Sequence, residues 1–362
     1  MLDEKRSGNP HACRVAVIWI DWYPYHVARM RGLCSAPTLA GRVVGIEMVG
    51  GVGVHAGLKF RAELPDDLPV ETLMPTNNWA TANKWKLALL LWRSLERLQP
   101  EAVLVPGYYT IPAIAAAVWS RLHGRISILM TESAAYDHVR HGWREMFKRA
   151  MLRLLFDRAI VGGRDHKSYL HQLGFPDKRI SPFYDVVDND FFTNGAAEQR
   201  ELARVSGQAP SEPYFLYVGR LAEEKNVHGL VAAWLAYREQ GGTWPLVLAG
   251  DGPKRATVER LLAHSSFRGD VRITGLCTAK QLLPLYAFAG AFVIASTREP
   301  WGLVVNEAMA AGLPVIVTDR CGCANDLVRN VGCGIIVEAG NEWALTEAMI
   351  SLAGISREAR QA

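Results

Sequence analysis

Glu299-Pro-Trp-Gly-Leu-Val-Val-Asn-Glu307, continued by Ala-Met-Ala-Ala-Gly-Leu-Pro-Val315, decides the reading of this 362-residue chain. Its two carboxylates are separated by seven residues, with a glycine turn between them. The apolar residues 293–296 before it read as a buried strand, and 304–311 read as a helix whose N-terminus lies near Gly302. The first N–H groups of a helix have no partner inside it. Those of Gly302, Leu303 and Val304 would point at whatever sits above the turn, an arrangement that favours a phosphate. Glu299 precedes the turn and Glu307 stands about two helical turns into the run, so each can meet a different part of one bound molecule. Helical carboxylates are ordinarily just solvated. This pair stands among Trp301, Leu303 and Val304, where burial without partners is costly.

Outward from this stretch, apolar strands alternate with helical periods. In the first half, 14–20, 43–49, 102–105, 127–130 and 158–161 read as strands; 27–33, 85–98, 111–122 and 143–156 read as helices. The second half restarts with strand 214–218, helix 227–239, strand 245–249, helix 255–264, strand 271–274, helix 280–287 and strand 291–295. Strand 314–318 and helix 342–352 follow the helix that carries Glu307. Such alternation predicts parallel sheets covered on both faces, in two Rossmann-like domains whose strand ends face a cleft. Pro176, Pro182 and Pro210 and the acidic run 185–190 are expected to break any element between 174 and 208. That places the domains at 1–200 and 201–362. No internal repeat or low-complexity tract is visible.

Composition bounds the function. Apolar residues make up 49% and charged residues 21%, as in packed globular proteins. A net charge of +4 permits an anionic ligand or an acidic lipid surface, and no nucleic-acid partner is expected. The first apolar run, 15–20, is too short for a signal peptide, and no segment approaches about 18 uninterrupted apolar residues. A cytoplasmic location is the resulting expectation. Of the six cysteines, Cys321-Gly-Cys323 with Cys333 lacks the C-x2-C spacing of a zinc site, so no metal is expected and small buried residues in a tight loop are.

Two further motifs sit after strands of the second half. Gly219-Arg220-Leu221-Ala222-Glu223-Glu224-Lys225 puts two cations at the mouth of the sheet, either as a solvated basic loop or as a clamp for a diphosphate. Gly250-Asp-Gly-Pro253 reads as a turn opening a helix, and Thr274-Gly275-Leu276 follows the third strand. Together with Glu299–Glu307, this set resembles the G-R-L-x-x-x-K and E-x7-E motifs of retaining GT-B glycosyltransferases, family 4 in particular. The resemblance is strong through the second half and weaker through the first. It implies a retaining, metal-independent transferase, without a cofactor, that moves a sugar from a nucleoside-diphosphate-sugar to a hydroxyl acceptor. By that resemblance Gly219, Arg220 and Lys225 meet the pyrophosphate, and Thr274, Gly275 and Leu276 lie by the base. Pro300, Trp301, Gly302, Leu303 and Val304 surround the donor, Glu299 contacts its sugar and Glu307 its ribose.

The first half departs from the family. Where relatives have a glycine pair before His-Val, this chain has Asp21-Trp-Tyr-Pro-Tyr-His-Val27, so Tyr23, Tyr25 and His26 become candidates for an acceptor pocket; His26 can equally be a helix-start residue with a satisfied ring. Where many relatives end a strand in histidine, Ile126–Met130 leads into Thr131-Glu132-Ser133, where Glu132 is either a hydrogen-bonding or proton-accepting group beside the sugar or an exposed residue opening a helix. Gly50-Gly-Val-Gly-Val-His-Ala-Gly57 lacks the dinucleotide spacing and reads as a loop near the cleft. Residues 140–156 mix cations with Trp143, Met146, Phe147, Met151 and Leu154. They form either an ordinary helix with its apolar stripe inward or a surface that rests on an anionic membrane, peripherally at the inner face. Either the family's usual C-terminal return helix is missing here, or the chain is cut short before it. A glycan, lipid or small-metabolite acceptor fits the sequence equally, and no pattern sets the oligomeric state. The competing readings are a non-catalytic donor-binding or scaffold subunit and a sugar-nucleotide hydrolase or epimerase.

Overall fold

A computed structural model describes residues 14–51, 66–135, 142–207, 212–329 and 331–354, with the side chains of 142–144 also left undescribed. The readings of the glycine-rich loop beyond Gly51, of residues 140 and 141, and of a return helix beyond 354 lie outside the described residues. The chain divides into two compact units. The first ends at Tyr184 and the second begins at Asp185, except that Ala134, Ala135 and Gly163–Asp165 go with the second.

The first unit is built on a seven-stranded parallel sheet. Its strands are β1 (Val15–Trp19), β2 (Val43–Val49), β3 (Val70–Met74), β4 (Ala102–Pro106), β5 (Ile126–Thr131), β6 (Arg158–Val161) and β7 (Ile180–Ser181). They lie in the order β3-β2-β1-β4-β5-β6-β7. The intervening helices are α1 (Pro24–Ser35), α2 (Lys84–Leu98), α3 (Ile111–Leu122), α4 (Gly142–Leu155) and α5 (Arg164–Gln172). Local chemistry sets their starts. Asn83 Oδ1 accepts the N–H groups of Trp85 (3.0 Å) and Lys86 (3.1 Å) to cap α2, and Thr110 Oγ1 accepts that of Ala113 to cap α3. Pro24 opens α1 three residues earlier than expected, because proline at the first helical position gives up only an N–H that would be unpaired there anyway.

The second unit has a six-stranded parallel sheet of β8 (Phe215–Val218), β9 (Leu246–Ala249), β10 (Val271–Ile273), β11 (Ala291–Val293), β12 (Val315–Thr318) and β13 (Gly334–Val337). Its order is β10-β9-β8-β11-β12-β13. Helices α6 (Asn189–Ser206), α7 (Val227–Glu239), α8 (Arg255–Ala263), α9 (Ala279–Phe288), α10 (Leu303–Ala310) and α11 (Glu342–Gly354) surround it. Strands β8, β9, β11 and β12 are buried at every position, as expected of a parallel sheet covered on both faces. Each such apolar side chain contributes about 1.5–3 kcal/mol by leaving water.

Two sequence expectations are corrected here. The segment between 174 and 208 is not broken throughout, since it contains the 18-residue α6. The acidic run caps that helix instead of interrupting it: Asp188 Oδ1 accepts the Phe191 N–H at 3.0 Å, and Asp190 sits favourably in the first turn. Phe192, Ala196 and Ala203 form its buried stripe against α9 and α10. The junction expected at 200/201 therefore falls inside a helix that packs in the second unit. Strands β3, β7 and β13 were not anticipated. The edge strand β3 carries Glu71 and Thr72 in its centre, and β7 has two residues, so neither gives an apolar run.

Candidate active site

Strand order locates the site in the second unit. From β8 the chain runs to β9 and β10 on one side, then crosses to β11, β12 and β13 on the other. Loops leaving the carboxyl ends of β8 and β11 therefore diverge, and such a switch point is where open parallel sheets leave a crevice. The cation motif follows β8 and the acidic motif follows β11.

The two loops are tied together. Lys225 Nζ pairs with Glu299 Oε2, which also accepts a hydrogen bond from Ser296 Oγ at 3.2 Å. Glu299 is 8% exposed. Arg220 pairs with Glu224, whose carbonyl accepts the Thr297 N–H at 2.9 Å. Tyr217 in β8 donates to Arg220 O at 2.9 Å and fixes the turn. The backbone of Glu299 is held as well: its N–H donates to Arg320 O (3.1 Å) and its carbonyl accepts from Gly322 N–H (3.0 Å).

Gly302 caps α10 with φ 96°, a left-handed conformation that glycine adopts without strain. A Cβ there would lie 2.8 Å from Cys321 Sγ. The turn thus brings the N-terminus of α10, with the N–H groups of Leu303 and Val304, beside Glu299. Gly302→Ala is expected to destabilise the unit by about 1–3 kcal/mol, read as a lower denaturation midpoint. Gly250 answers a similar constraint, since a Cβ at that residue would meet Gly219 O at 1.8 Å. Cys321 and Cys323 are buried, their sulfurs 3.4 Å apart, and Cys321 Sγ–H donates to Trp301 O at 3.1 Å. They pack the floor of the turn.

Glu307 lies within α10, half-buried, and accepts a hydrogen bond from the hydroxyl of the buried Tyr286 at 2.8 Å. Burial pushes the Glu307 carboxyl up to about 7, against the lowering effect of that hydrogen bond. Trp301 is buried, with its indole N–H on Asn306 Oδ1 at 2.9 Å. Leu303 and Val304 are half-buried, and Pro300 is exposed. Thr274, Gly275 and Leu276 follow the edge strand β10, two strands from β8. The Thr274 hydroxyl bonds Gly275 O (3.1 Å) and Cys277 Sγ (3.2 Å), so it does not join the carboxylate–cation group. Sequence reasoning assigned no role to Ser296, Glu224, Tyr217 or Tyr286. Glu224 lay inside the cation motif, but the other three carry no local signal.

In the first unit the switch point lies between β1 and β4, flanked by β2 and β5. Tyr23 and His26 are buried at the start of α1, and Tyr25 is half-buried. The His26 ring stacks on Trp19 with centroids 4.7 Å apart, and Nδ1 accepts the Tyr23 N–H at 3.2 Å. Burial, then the neighbouring Arg29 charge, hold its imidazole well below the usual pKa. His26 thus stands in the first turn of α1 with its Nδ1 engaged. Tyr23 and Tyr25 stack with centroids 5.5 Å apart, and Arg29 lies over the rings of Tyr25 and Tyr184. Glu132, half-buried, follows β5.

Residues 198–361 match the family Glycosyl transferases group 1. Among characterised relatives, alpha-D-kanosaminyltransferase of Streptomyces kanamyceticus is 30% identical over 208 residues, 58% of this chain and 51% of that protein. The GDP-mannose-dependent alpha-mannosyltransferase of Mycobacterium tuberculosis is 30% identical over 226 residues, 62% of this chain and 53% of the relative. The chain thus spans about half the length of the curated relatives it matches. In structure it is similar to a glycosyltransferase from Rickettsia africae (TM-score 0.71, 14% identity, 97% of this chain and 91% of that one). Sucrose-phosphate synthase from Thermosynechococcus elongatus is equally similar (TM-score 0.71, 21% identity, 96% and 92%). The fold is that of the GT-B glycosyltransferases, and residues 198–361 are similar to the group 1 glycosyl transferases.

Proposed function

We propose that this protein is a retaining, metal-independent glycosyltransferase that moves a sugar from a nucleoside-diphosphate-sugar to a hydroxyl acceptor. The observation that carries the reading is the joining of Arg220, Lys225 and Glu299 at the switch point beside the N-terminus of α10. The activities that the two relatives are named for, both glycosyl transfers, agree with it.

Arg220 and Lys225 bind the diphosphate as side-chain cations. With the N–H groups at the start of α10 they stabilise the charge that builds on it as the sugar–phosphate bond breaks. They supply positive charge that a divalent ion provides in other sites, which is the basis for reading the reaction as metal-independent. Glu299 accepts hydrogen bonds from the donor sugar and Glu307 from the ribose. The acceptor oxygen attacks the anomeric carbon on the face the diphosphate leaves, and its proton passes to a departing phosphate oxygen. On the acceptor side, Glu132, Tyr23 and Tyr25 shape the site, with His26 holding the loop. A panel of UDP-, GDP- and ADP-sugars, scored for diphosphate release in EDTA, tests the reading. Release from one donor supports it; tight diphosphate binding with no release from any donor, in the presence of a broad acceptor mixture, favours a non-catalytic subunit.

The peripheral membrane contact belongs to the same proposal. Helix α4 presents Leu152 and Leu155 inward, yet Met146, Phe147 and Leu154 are 70%, 67% and 68% exposed. Its acid, Glu145, is turned onto Lys148 and the Tyr169 hydroxyl, both at 2.8 Å. Arg149 and Arg153 stand exposed beside the apolar residues. Apolar side chains interleaved with cations suit an anionic lipid surface. No helix among the described residues is long and apolar enough to cross a membrane. The full chain is expected to float with vesicles containing phosphatidylglycerol and not with phosphatidylcholine alone. Met146→Asp with Phe147→Asp should abolish flotation; equal flotation of this variant removes the proposal.

A further inference from the structure

The loop that carries Glu299 is pinned at every residue from Ser296 onward. The Ser296 carbonyl accepts the Thr318 hydroxyl at 2.6 Å, and Glu224 O accepts the N–H groups of Thr297 (2.9 Å) and Arg298 (3.4 Å). Arg320 and Gly322 fix the backbone of Glu299. Ser296 and Thr318 are 0% and 2% exposed, so both hydroxyls lie out of reach of solvent. A buried hydroxyl is costly unless it is hydrogen-bonded. That of Ser296 is committed to one atom, Glu299 Oε2, at 3.2 Å, and Lys225 Nζ meets the same oxygen. The carboxylate is therefore unevenly engaged. Oε2 carries both protein contacts, whereas Oε1 has no partner among the described residues and is not sealed from water.

We infer that Ser296, held by Thr318, is a positioning residue that keeps Glu299 Oε2 in place during the reaction and leaves Oε1 as the oxygen that receives the donor sugar. The inference rests on the transferase reading for the sugar, and on the hydrogen bonds alone for the geometry. The two contacts to Oε2 differ in what a donor does to them. Lys225 is an ammonium on a flexible four-carbon stem whose side chain keeps 19% exposure, and a diphosphate competes for it directly. Ser296 has a one-carbon side chain on a backbone that Thr318 fixes, and it is sealed from solvent. When the diphosphate draws Lys225 away, Ser296 is the contact that remains, and the carboxylate does not swing after the lysine. Thr318 ends β12, which pairs with β11, so the anchor is tied to the rigid sheet. An acceptor held in advance costs no reorganisation as the sugar–phosphate bond breaks.

The test measures diphosphate release by the full chain from the UDP, GDP and ADP esters of glucose and mannose, beside calorimetric titration with the free diphosphates. Ser296→Ala should lower kcat for a released donor about tenfold, the scale of one hydrogen bond to a charged group. Donor KM and affinity for the free diphosphate should stay within about twofold, because the phosphate contacts are untouched. Thr318→Val, which removes a hydroxyl, should slow release in the same sense, and Thr318→Ser, which keeps it, should not. A donor-free readout tests the contact itself. In urea denaturation the destabilisation caused by Ser296→Ala should shrink by about half or more when Glu299 is already alanine. A residue that only fills space would lower stability, kcat and diphosphate affinity together, and alike in both backgrounds. Wild-type kcat in Ser296→Ala, an equal loss of diphosphate affinity, or destabilisation that ignores the Glu299 carboxylate overturns the inference. The transferase reading is judged separately, by release from any donor with wild type. Its failure with the coupling to Glu299 intact removes the sugar but not the anchor.

Discussion

Glu299→Ala is expected to slow sugar release from the donor about a thousandfold, the scale of removing a preorganised polar group from a reacting centre. Two losses combine. The donor sugar loses the carboxylate that holds its hydroxyls, and Lys225 loses the partner that fixes its ammonium between the two loops. A uniform weakening of nucleotide binding is not expected, because Arg220 and the start of α10 are untouched. Calorimetric titration with the free nucleoside diphosphate should therefore shift only a few-fold while turnover collapses. Glu299→Gln keeps the shape and one hydrogen-bond acceptor but not the charge, and should fall between. Stability responds as well. Breaking a fully buried ion pair costs about 3–5 kcal/mol; here the side chains retain 19% and 10% exposure, so a smaller loss is expected, seen as a lower melting temperature. Turnover within tenfold of wild type would place the sugar contact elsewhere.

Glu307 gives the second large effect, and it depends on pH. Ribose hydroxyls donate hydrogen bonds, so the carboxylate form is the one that binds. With its carboxyl raised to about 7, nucleotide affinity should climb between pH 6 and 8 and then level off. Glu307→Gln should flatten that profile and weaken binding at pH 8 about tenfold to a hundredfold, since hydrogen bonds to a charged group are worth about 1.5–3 kcal/mol. Tyr286→Phe removes the hydrogen bond that lowers the pKa, so its midpoint should move above that of wild type. Folding stability runs the opposite way. The folded state holds a proton on Glu307 that the unfolded chain releases near the ordinary value of 4.5. The stability this adds is complete below that value and is lost as pH rises through about 7. Melting curves should show wild type losing ground to Glu307→Gln between pH 5 and 8. Parallel curves would mean that the carboxyl ionises normally.

The sequence made the second unit more legible than the first, for a physical reason. Tight turns after buried strands need glycine at Gly302 and Gly250, and the cation motif sits at fixed offsets after β8, so each requirement leaves a residue type in place. The partners that complete the site leave no such trace. Tyr286 reaches Glu307 from a different helix, and Ser296 looks like any strand-end serine. In the first unit, Tyr25 and Glu132 stood out only as departures from the family's motifs, because neither belongs to a pattern of its own. Helix α4 shows the limit from the other side. Its sequence fits an inward apolar stripe and an outward apolar surface alike, and the fold has both. Capping overturned the broken segment, where an acidic run beside prolines turned out to start α6.

The pairing of Arg220 with Glu224 and of Lys225 with Glu299 bears on which anions the site ignores. Both cations already have a counterion of the protein's own. Inorganic phosphate or a stray nucleotide therefore meets a patch whose charge is balanced and gains little by entering. On the proposed transferase reading, a ligand that brings a sugar for Glu299, together with a diphosphate for the cations, replaces the Lys225–Glu299 pairing with contacts of its own. On that reading selectivity in a crowded solution of anions rests on this exchange: the site stays unclogged not because it is closed, but because only a bipartite ligand gives both halves of the Lys225–Glu299 pair something to hold.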